Sequence, residues 1–334
     1  MIRPGLVREH IRGAPCPSRR PSGRELDARP SQILENSHHV IMAAAAPITI
    51  GLPVFNGEPY LEAAIESILA QTFVDFTLFV SDNASTDATE EIVRSFAKRD
   101  QRVQYDRSPQ NRGAAWNFNR AFEACESPFF KWAASDDLLA PTCVERCYEL
   151  LLGAPPEVVL AYPQTRLVGP GGEPIRDLDD RLNVREATPH ARLRHVVAKV
   201  VWGNLIFGLM VSNALRRTRG HGSYPSADWV LLAELALLGQ FWMVPEPLFL
   251  RREHEAMSRK ANRTTLEIAR FMDPESKSRG GERRRIFVEH FGAIKHMPLS
   301  PTERSLCYST FVVTWTRRQV AARDRISDLI HRFD

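Results

Sequence analysis

The sequence predicts an α/β fold, a mostly parallel sheet flanked by helices, with a helical and basic C-terminal region behind it. Three observations carry this expectation. Short apolar runs alternate with helix-period stretches from residue 47 to about 134, the pattern of a parallel sheet with helices on both faces. Polar residues fall just after successive apolar runs, first Asn56 and Glu58, then Asp82, Asn111, and Asp136 with Asp137. Open α/β sheets bind ligands at these carboxyl ends of their strands. Beyond residue 261 the pattern turns helical and rich in arginine.

The elements follow in order. "ITIGLPVF" (48–55) reads as a strand, and "EPYLEAAIESILAQ" (58–71) sets Leu61, Ile65, Ile68 and Leu69 at helical spacing. "FTLFVSD" (76–82) is a strand. "DATEEIVRSFAKR" (87–99) is a helix with Asp87 and Glu90 spaced as a capping pair. "RVQYDR" (102–107) and "PFFKWAA" (128–134) are strands around a helix, "GAAWNFNRAFEAC" (113–125). After about 155 the alternation weakens. "VVLAYPQTRLVGPGGEPI" (158–175) reads as a hairpin with Gly171-Gly172 at its turn. "ATPHARLRHVVAKVV" (187–201) and "DWVLLAELALLG" (228–239) read as helices, and "PEPLFLRREH" (245–254) as a strand running into a polar loop.

Residues 1–44 differ from the rest. They scatter Arg and Pro with little apolar periodicity and no continuous apolar core of a signal peptide. They are expected to be a disordered extension, with Met42 as an alternative start. The rest divides into 45–260, with halves 45–155 and 156–260, and a helical region 261–334.

Bulk numbers exclude some classes. Hydrophobic residues make up 43% of the chain, enough for a core. A net charge of +4 does not point to nucleic acid. The most apolar run, 196–215, is broken by Lys199, Gly203, Asn204, Gly208 and Asn213, so it reads as buried helix and strand rather than a membrane span. The arginine-rich last third leaves room for peripheral membrane contact. The five cysteines form no CxxC, and Cys143 and Cys147 read as buried thiols on one helix face. An odd count without a signal peptide favours a reducing, cytoplasmic compartment.

"PVFNGEPYLEAAIESILAQTF", "SDNASTDATEEI", "NRGAAWNFNRAF" and "KWAASDDLLAP" resemble the successive motifs of family 2 glycosyltransferases with the GT-A fold. Order and spacing match over roughly residues 45–255. The resemblance implies a nucleotide-sugar donor, UDP- or dTDP-linked, a Mg²⁺ or Mn²⁺ ion, and transfer with inversion. It makes 45–155 the nucleotide-sugar-binding half and 156–260 the acceptor half. It implies a carbohydrate or lipid-linked acceptor, with work at the inner face of the membrane.

Residue roles follow from it one at a time. Asp82 would hydrogen-bond the nucleotide base, since a carboxylate accepts a pyrimidine imide N–H. Pro53, Asn56 and Glu58 form the first loop, with Glu58 either near the ribose or complementing a helix dipole. Asp87 is either a ligand contact or an N-cap. Asn111 and Gly113 would face the donor, although Gly113 also suits a tight turn, and Arg112 points at the diphosphate or at solvent. Asp136, Asp137 and His254 would hold the metal, and Arg252 or Arg251 the diphosphate. A hard cation takes carboxylate and phosphate oxygens together. The family usually writes acid, spacer, acid here, and Ala134 stands at the first acid. Asp136-Asp137 could instead form an Asx turn, and His254 an ordinary buried residue.

The acceptor hydroxyl needs a base. Asp228, at the start of an apolar helix, matches the family's catalytic acid in the acceptor half, with an N-cap role as the alternative, shared with Ser226. Glu234 is the reserve, and Trp229 lines the acceptor pocket or the core. Rival readings are a binding protein that has lost transfer, suggested by Ala134, and a nucleotidyltransferase. The latter wants a lysine in the first loop, which "GLPVFNGEPY" lacks.

Overall fold

A computed structural model of the chain describes residues 46–330 other than 180, 181, 256, 263, 278 and 279. The expected disordered extension, with Met42, lies outside the described residues. The predicted alternation is present as β1 (Ile48–Val54), α1 (Glu58–Leu69), β2 (Phe76–Asp82), α2 (Thr89–Arg99), β3 (Val103–Arg107), α3 (Ala114–Glu123) and β4 (Phe129–Trp132). The chain continues with β5 (Leu138–Leu139), α4 (Cys143–Gly153), β6 (Val158–Val168), β7 (Pro174–Asp177) and α5 (Pro189–Lys199). A 3₁₀ turn (Gly203–Phe207), β8 (Leu209–Val211), α6 (Ser212–Arg216), α7 (Ala227–Leu238) and β9 (Gln240–Arg252) complete the sheet region. Four helices follow: α8 (Ser258–Ala261), α9 (Thr265–Met272), α10 (Glu282–His296) and α11 (Pro301–Ile330). Among the described residues no helix is long and apolar enough to cross a membrane.

The strands form one nine-stranded sheet ordered β3-β2-β1-β4-β8-β6-β9-β5, with β7 on β6. β1 pairs in parallel with β2 and β4, and β2 with β3. β8 is antiparallel to both β4 and β6, which turns β6 back to the direction of β4, and β9 is parallel to β6. Six strands therefore share one direction (β1, β2, β3, β4, β6 and β9), and their carboxyl ends lie along one edge. Between β1 and β4 the strand order reverses, the position at which open α/β sheets bind their ligands.

Local sequence explains the packing. α1 buries Leu61, Ala64, Ile65 and Ile68, a helical stripe laid on the sheet. Leu61, Ile65 and Ile68 each contribute about 2 kcal/mol when removed from water. α7 is buried nearly all round because it lies between two apolar clusters. Leu231, Leu232 and Leu235 face the sheet side. Val230, Ala233 and Leu237 face Leu193 of α5, Ile294 of α10 and Phe311 of α11. The helix that carries Asp228 in its first turn is thus fixed on both faces. The hairpin turn predicted at Gly171-Gly172 is present, with Gly172 at φ +90°. Cys143 and Cys147 are free, buried thiols on α4.

Candidate functional site

The loops after β1 and β2 are sewn together at the shared edge. Asn56 adopts a left-handed conformation (φ +53°), tolerated by asparagine. Its N–H donates to Ser85 Oγ at 2.9 Å, and its Oδ1 accepts the Thr86 N–H at 2.8 Å. The Gly57 N–H donates to Thr89 Oγ1 at 2.9 Å. Asp87 Oδ2 accepts the Glu58 N–H at 3.0 Å while Glu58 Oε2 accepts the Ala88 N–H at 3.1 Å. The expected Asp87–Glu90 capping pair is therefore corrected. Glu58 is the reciprocal partner of Asp87, and Glu90 pairs with Arg94 and Arg107. Burial works to raise the Asp87 carboxyl, but hydrogen bonds from Thr89 and Glu58 hold it below the ordinary carboxylate value. Pro53 is buried within β1 opposite Ser81.

Asp82, at the end of β2, is fully buried. Its Oδ1 accepts the Ser85 N–H at 2.8 Å, and its Oδ2 accepts the Tyr105 hydroxyl at 2.6 Å with Arg107 Nε 3.2 Å away. Burial and the Asp82 carboxylate together push the Tyr105 phenol up. Asn83, next to it, bonds the third loop, where Asn111 Oδ1 accepts from Asn83 Nδ2 and from the Gly113 N–H, each at 2.9 Å. Gly113 has φ +86°, and a Cβ there would lie 2.5 Å from the Met272 carbonyl oxygen of α9. Its glycine serves close packing of α9 as well as the turn. Arg112 lies over the Trp116 ring at 4.4 Å.

The loop between β4 and β5 meets the end of β9. Asp137 Oδ1 accepts the Arg252 N–H at 2.8 Å, and Arg252 Nε donates to the Asp136 carbonyl at 2.8 Å. The same guanidinium donates to the Pro170 carbonyl and lies 4.7 Å from the Tyr60 ring. Arg252 is buried at 4% exposure and spends its fork on backbone oxygens, so in this arrangement it is a strut rather than the expected diphosphate clamp. His254 Nε2 lies 3.0 Å from Asp136 Oδ2, and its Nδ1 is buried without a hydrogen-bond partner. Burial and the neighbouring Asp136 charge push Asp137 up to about 8.

Among the described residues no group of three or more His, Cys, Asp and Glu is arranged to hold a metal ion. The pair that is present fits one edge of a coordination shell. Adjacent octahedral ligands with bonds of about 2.1 Å stand about 3 Å apart, as Asp136 and His254 do. Asp137 turns one oxygen to the β9 backbone instead. A cation here would rest on Asp136 and His254, with phosphate oxygens completing the shell.

Asp228 lies in the first turn of α7 and packs on the 3₁₀ turn, where a Cβ on Gly203 would come 1.6 Å from Asp228 Oδ2. Asn204, the next residue, accepts from Arg251 on β9 at 2.9 Å. Arg252, the next residue on β9, in turn bonds Asp136 and Asp137, so contacts and chain neighbours run from Asp228 to the loop after β4. Burial holds His221 below its ordinary value against the opposing pull of Asp228. Ser226 takes φ +58° and donates its hydroxyl to Glu282 Oε1 at 2.8 Å rather than capping α7. Trp229 carries Arg318 over its ring at 4.4 Å.

Glu234, the reserve base, is corrected. At 1% exposure it accepts the Arg219 N–H at 2.8 Å and pairs with the Arg219 guanidinium, a buried structural ion pair. Gly203, Tyr105, Arg107 and Tyr60 were not singled out in the sequence. Their contacts with Asp82, Arg252 and Asp228 are made across elements distant in sequence, so the fold is needed to reveal them.

A family model described as "Glycosyl transferase family 2" matches residues 49–219. An uncharacterized glycosyltransferase of Haemophilus influenzae is 32% identical over 105 residues, covering 31% of this chain and 42% of that protein. Chondroitin synthase of Escherichia coli is 31% identical over 102 residues, covering 30% of this chain and 15% of that protein. The chain spans less than half the length of the first curated relatives it matches. Among solved structures, Staphylococcus aureus TarS 1–349 in complex with UDP-GlcNAc aligns at TM-score 0.57 and 13% identity, covering 80% of this chain and 72% of that one. Mannosyltransferase PcManGT from Pyrobaculum calidifontis, in complex with GDP-Man and Mn²⁺, aligns at TM-score 0.52 and 14% identity, covering 88% and 83%. These likenesses establish the fold as GT-A.

Proposed function

Because this chain belongs to glycosyl transferase family 2, we propose that it moves a sugar from a nucleotide-diphosphate donor to an acceptor hydroxyl with inversion, in polysaccharide or glycoconjugate synthesis. The observation that supports the reading is that Asp82 ends β2, that Asp136 follows β4 and lies against His254 beyond β9, and that Asp228 packs on Gly203, beside the Asn204 that bonds Arg251 of β9. The β1, β2 and β3 loops form the donor side, and the 3₁₀ turn with α7 the acceptor side. Asp228 takes the proton of the acceptor hydroxyl as its oxygen attacks the anomeric carbon. The bond from that carbon to the diphosphate breaks on the opposite face, so a single displacement inverts the centre. A Mg²⁺ or Mn²⁺ ion, when bound by Asp136 and His254, would supply charge neutralisation to the departing diphosphate. Asp82 with Tyr105 and Arg107 forms the base end, which favours UDP or dTDP.

The test is a thermal-shift series with UDP, dTDP and GDP, with and without Mg²⁺ or Mn²⁺. A metal-dependent rise in melting temperature with the pyrimidine diphosphates, weakened in Asp136→Asn, is expected. No rise with any of them would end the reading. Ala134, in place of the first acid, favours one second reading, a sugar-nucleotide-binding protein without transfer. Donor turnover with Mn²⁺ but not in Asp228→Asn rules that reading out.

A further inference from the structure

Away from the donor edge, a cleft of about 360 Å³ opens between the segment leading into α7 and the helices α9 and α10. Its walls lie beyond residue 219, where the family model ends. Ser223, Tyr224 and Pro225 form one wall, and Glu282, Arg284, Arg285 and Val288 of α10 the other. The lining joins an aromatic face and apolar surface to hydroxyls and guanidinium groups, the mixture that suits a sugar ring with its apolar C–H face and polar rim.

The charges are not equivalent. Arg285 is held over the Tyr224 ring at 5.2 Å, and its Nε is paired with Glu289 at 2.7 Å. Glu282 accepts the Ser226 hydroxyl at 2.8 Å. Arg284 is exposed, and among the described residues no carboxylate pairs with it. One of the two guanidinium groups in the lining is paired with Glu289, the Glu282 carboxylate is engaged by a hydroxyl, and the Arg284 guanidinium is left over, which favours an anionic ligand. Ser226 stands two residues before Asp228, in a left-handed conformation that the Glu282 bond supports. The cleft therefore adjoins the chain that carries the proposed base.

We propose that this cleft is a remote acceptor subsite for an anionic saccharide, with Arg284 contacting its carboxylate or phosphate and Tyr224 its ring. Naming the ligand an acceptor rests on the transferase reading; binding itself does not. The test is saturation-transfer difference NMR on the full chain without any nucleotide. The probes are trigalacturonate, glucose 6-phosphate and neutral maltotriose. Transfer to one or both anionic sugars and not to maltotriose is expected, abolished in Arg284→Glu and restored in Arg284→Lys, and the responding probe identifies carboxylate or phosphate. Equal transfer to maltotriose, transfer surviving Arg284→Glu, or no transfer to any probe overturns the proposal. Because no donor is present, it stands or falls separately from glycosyl transfer.

Discussion

Glu58 and Asp87 cap each other's helices. The Glu58 N–H reaches Asp87 Oδ2 at 3.0 Å, and the Ala88 N–H reaches Glu58 Oε2 at 3.1 Å. Each carboxylate satisfies an otherwise unpaired N–H at the start of the other helix. Glu58→Ala and Asp87→Ala should each lower stability by about 1 kcal/mol, the usual cost of a lost cap. The double variant should lose clearly less than the sum, because each single change already breaks the exchange. Urea denaturation of the four proteins measures this, and strict additivity would show two independent caps.

Gly203 leaves room for the Asp228 carboxylate, since a methyl there would fall 1.6 Å from Oδ2. Gly203→Ala should displace the proposed base and lower kcat by about 100-fold, the scale of a small misplacement at a reacting group. Donor binding by calorimetry should stay at the wild-type value. Undiminished kcat would separate Asp228 from the chemistry.

Glu234→Gln tests the opposite assignment. Neutralising Glu234 leaves Arg219 with Glu289 as its one remaining carboxylate partner and weakens a buried charge-assisted hydrogen bond, at a cost of about 2 kcal/mol. The melting temperature should drop, and turnover per folded molecule, read at a temperature where the variant is native, should not. Loss of turnover with unchanged melting would return Glu234 to the list of bases.

His290 gives a pH dependence with a definite sign. It is buried against Phe311, 10° from coplanar, and burial pushes it down to about 4 from 6.5. The unfolded chain binds its proton first as pH falls, so the folded state loses stability between about pH 6.5 and 4. Above pH 7 this residue contributes no pH slope. The full window amounts to about 3 kcal/mol. His290→Phe should flatten the fall in a denaturation series from pH 7.5 to 5, and an unchanged slope would assign it elsewhere.

Much of the fold could be read because its signals are local. The strand Phe76–Asp82 was predicted to the residue, its apolar run being bounded by Asp75 and by a Ser/Thr/Asn loop. Errors came where a partner is remote in sequence. Asp87 was matched with Glu90, three residues away, whereas the residue it serves lies 29 positions earlier. β9 begins at Gln240, before the predicted 245, and carries Pro245 within it. The sheet absorbs it in a register shift between the Pro163–Val244 and Gln164–Pro247 pairs. Glu234 sits in a helix apolar on all sides, and nothing in that stretch announces Arg219 as its counter-ion. At the candidate site, the order of acids along the chain was legible. The engagement of Asp82 by Tyr105 and Arg107, and of Arg252 by backbone oxygens, depends on neighbouring strands and was not.

The Met272 carbonyl beneath Gly113 bears on how such chains can be recombined. A chimera that takes its C-terminal helices from one relative and its nucleotide half from another inherits a seam at this point. Wherever the nucleotide half carries any side chain in place of that hydrogen, the transplanted helix has to ride outward. The C-terminal helices of this chain are therefore not a freely exchangeable cassette.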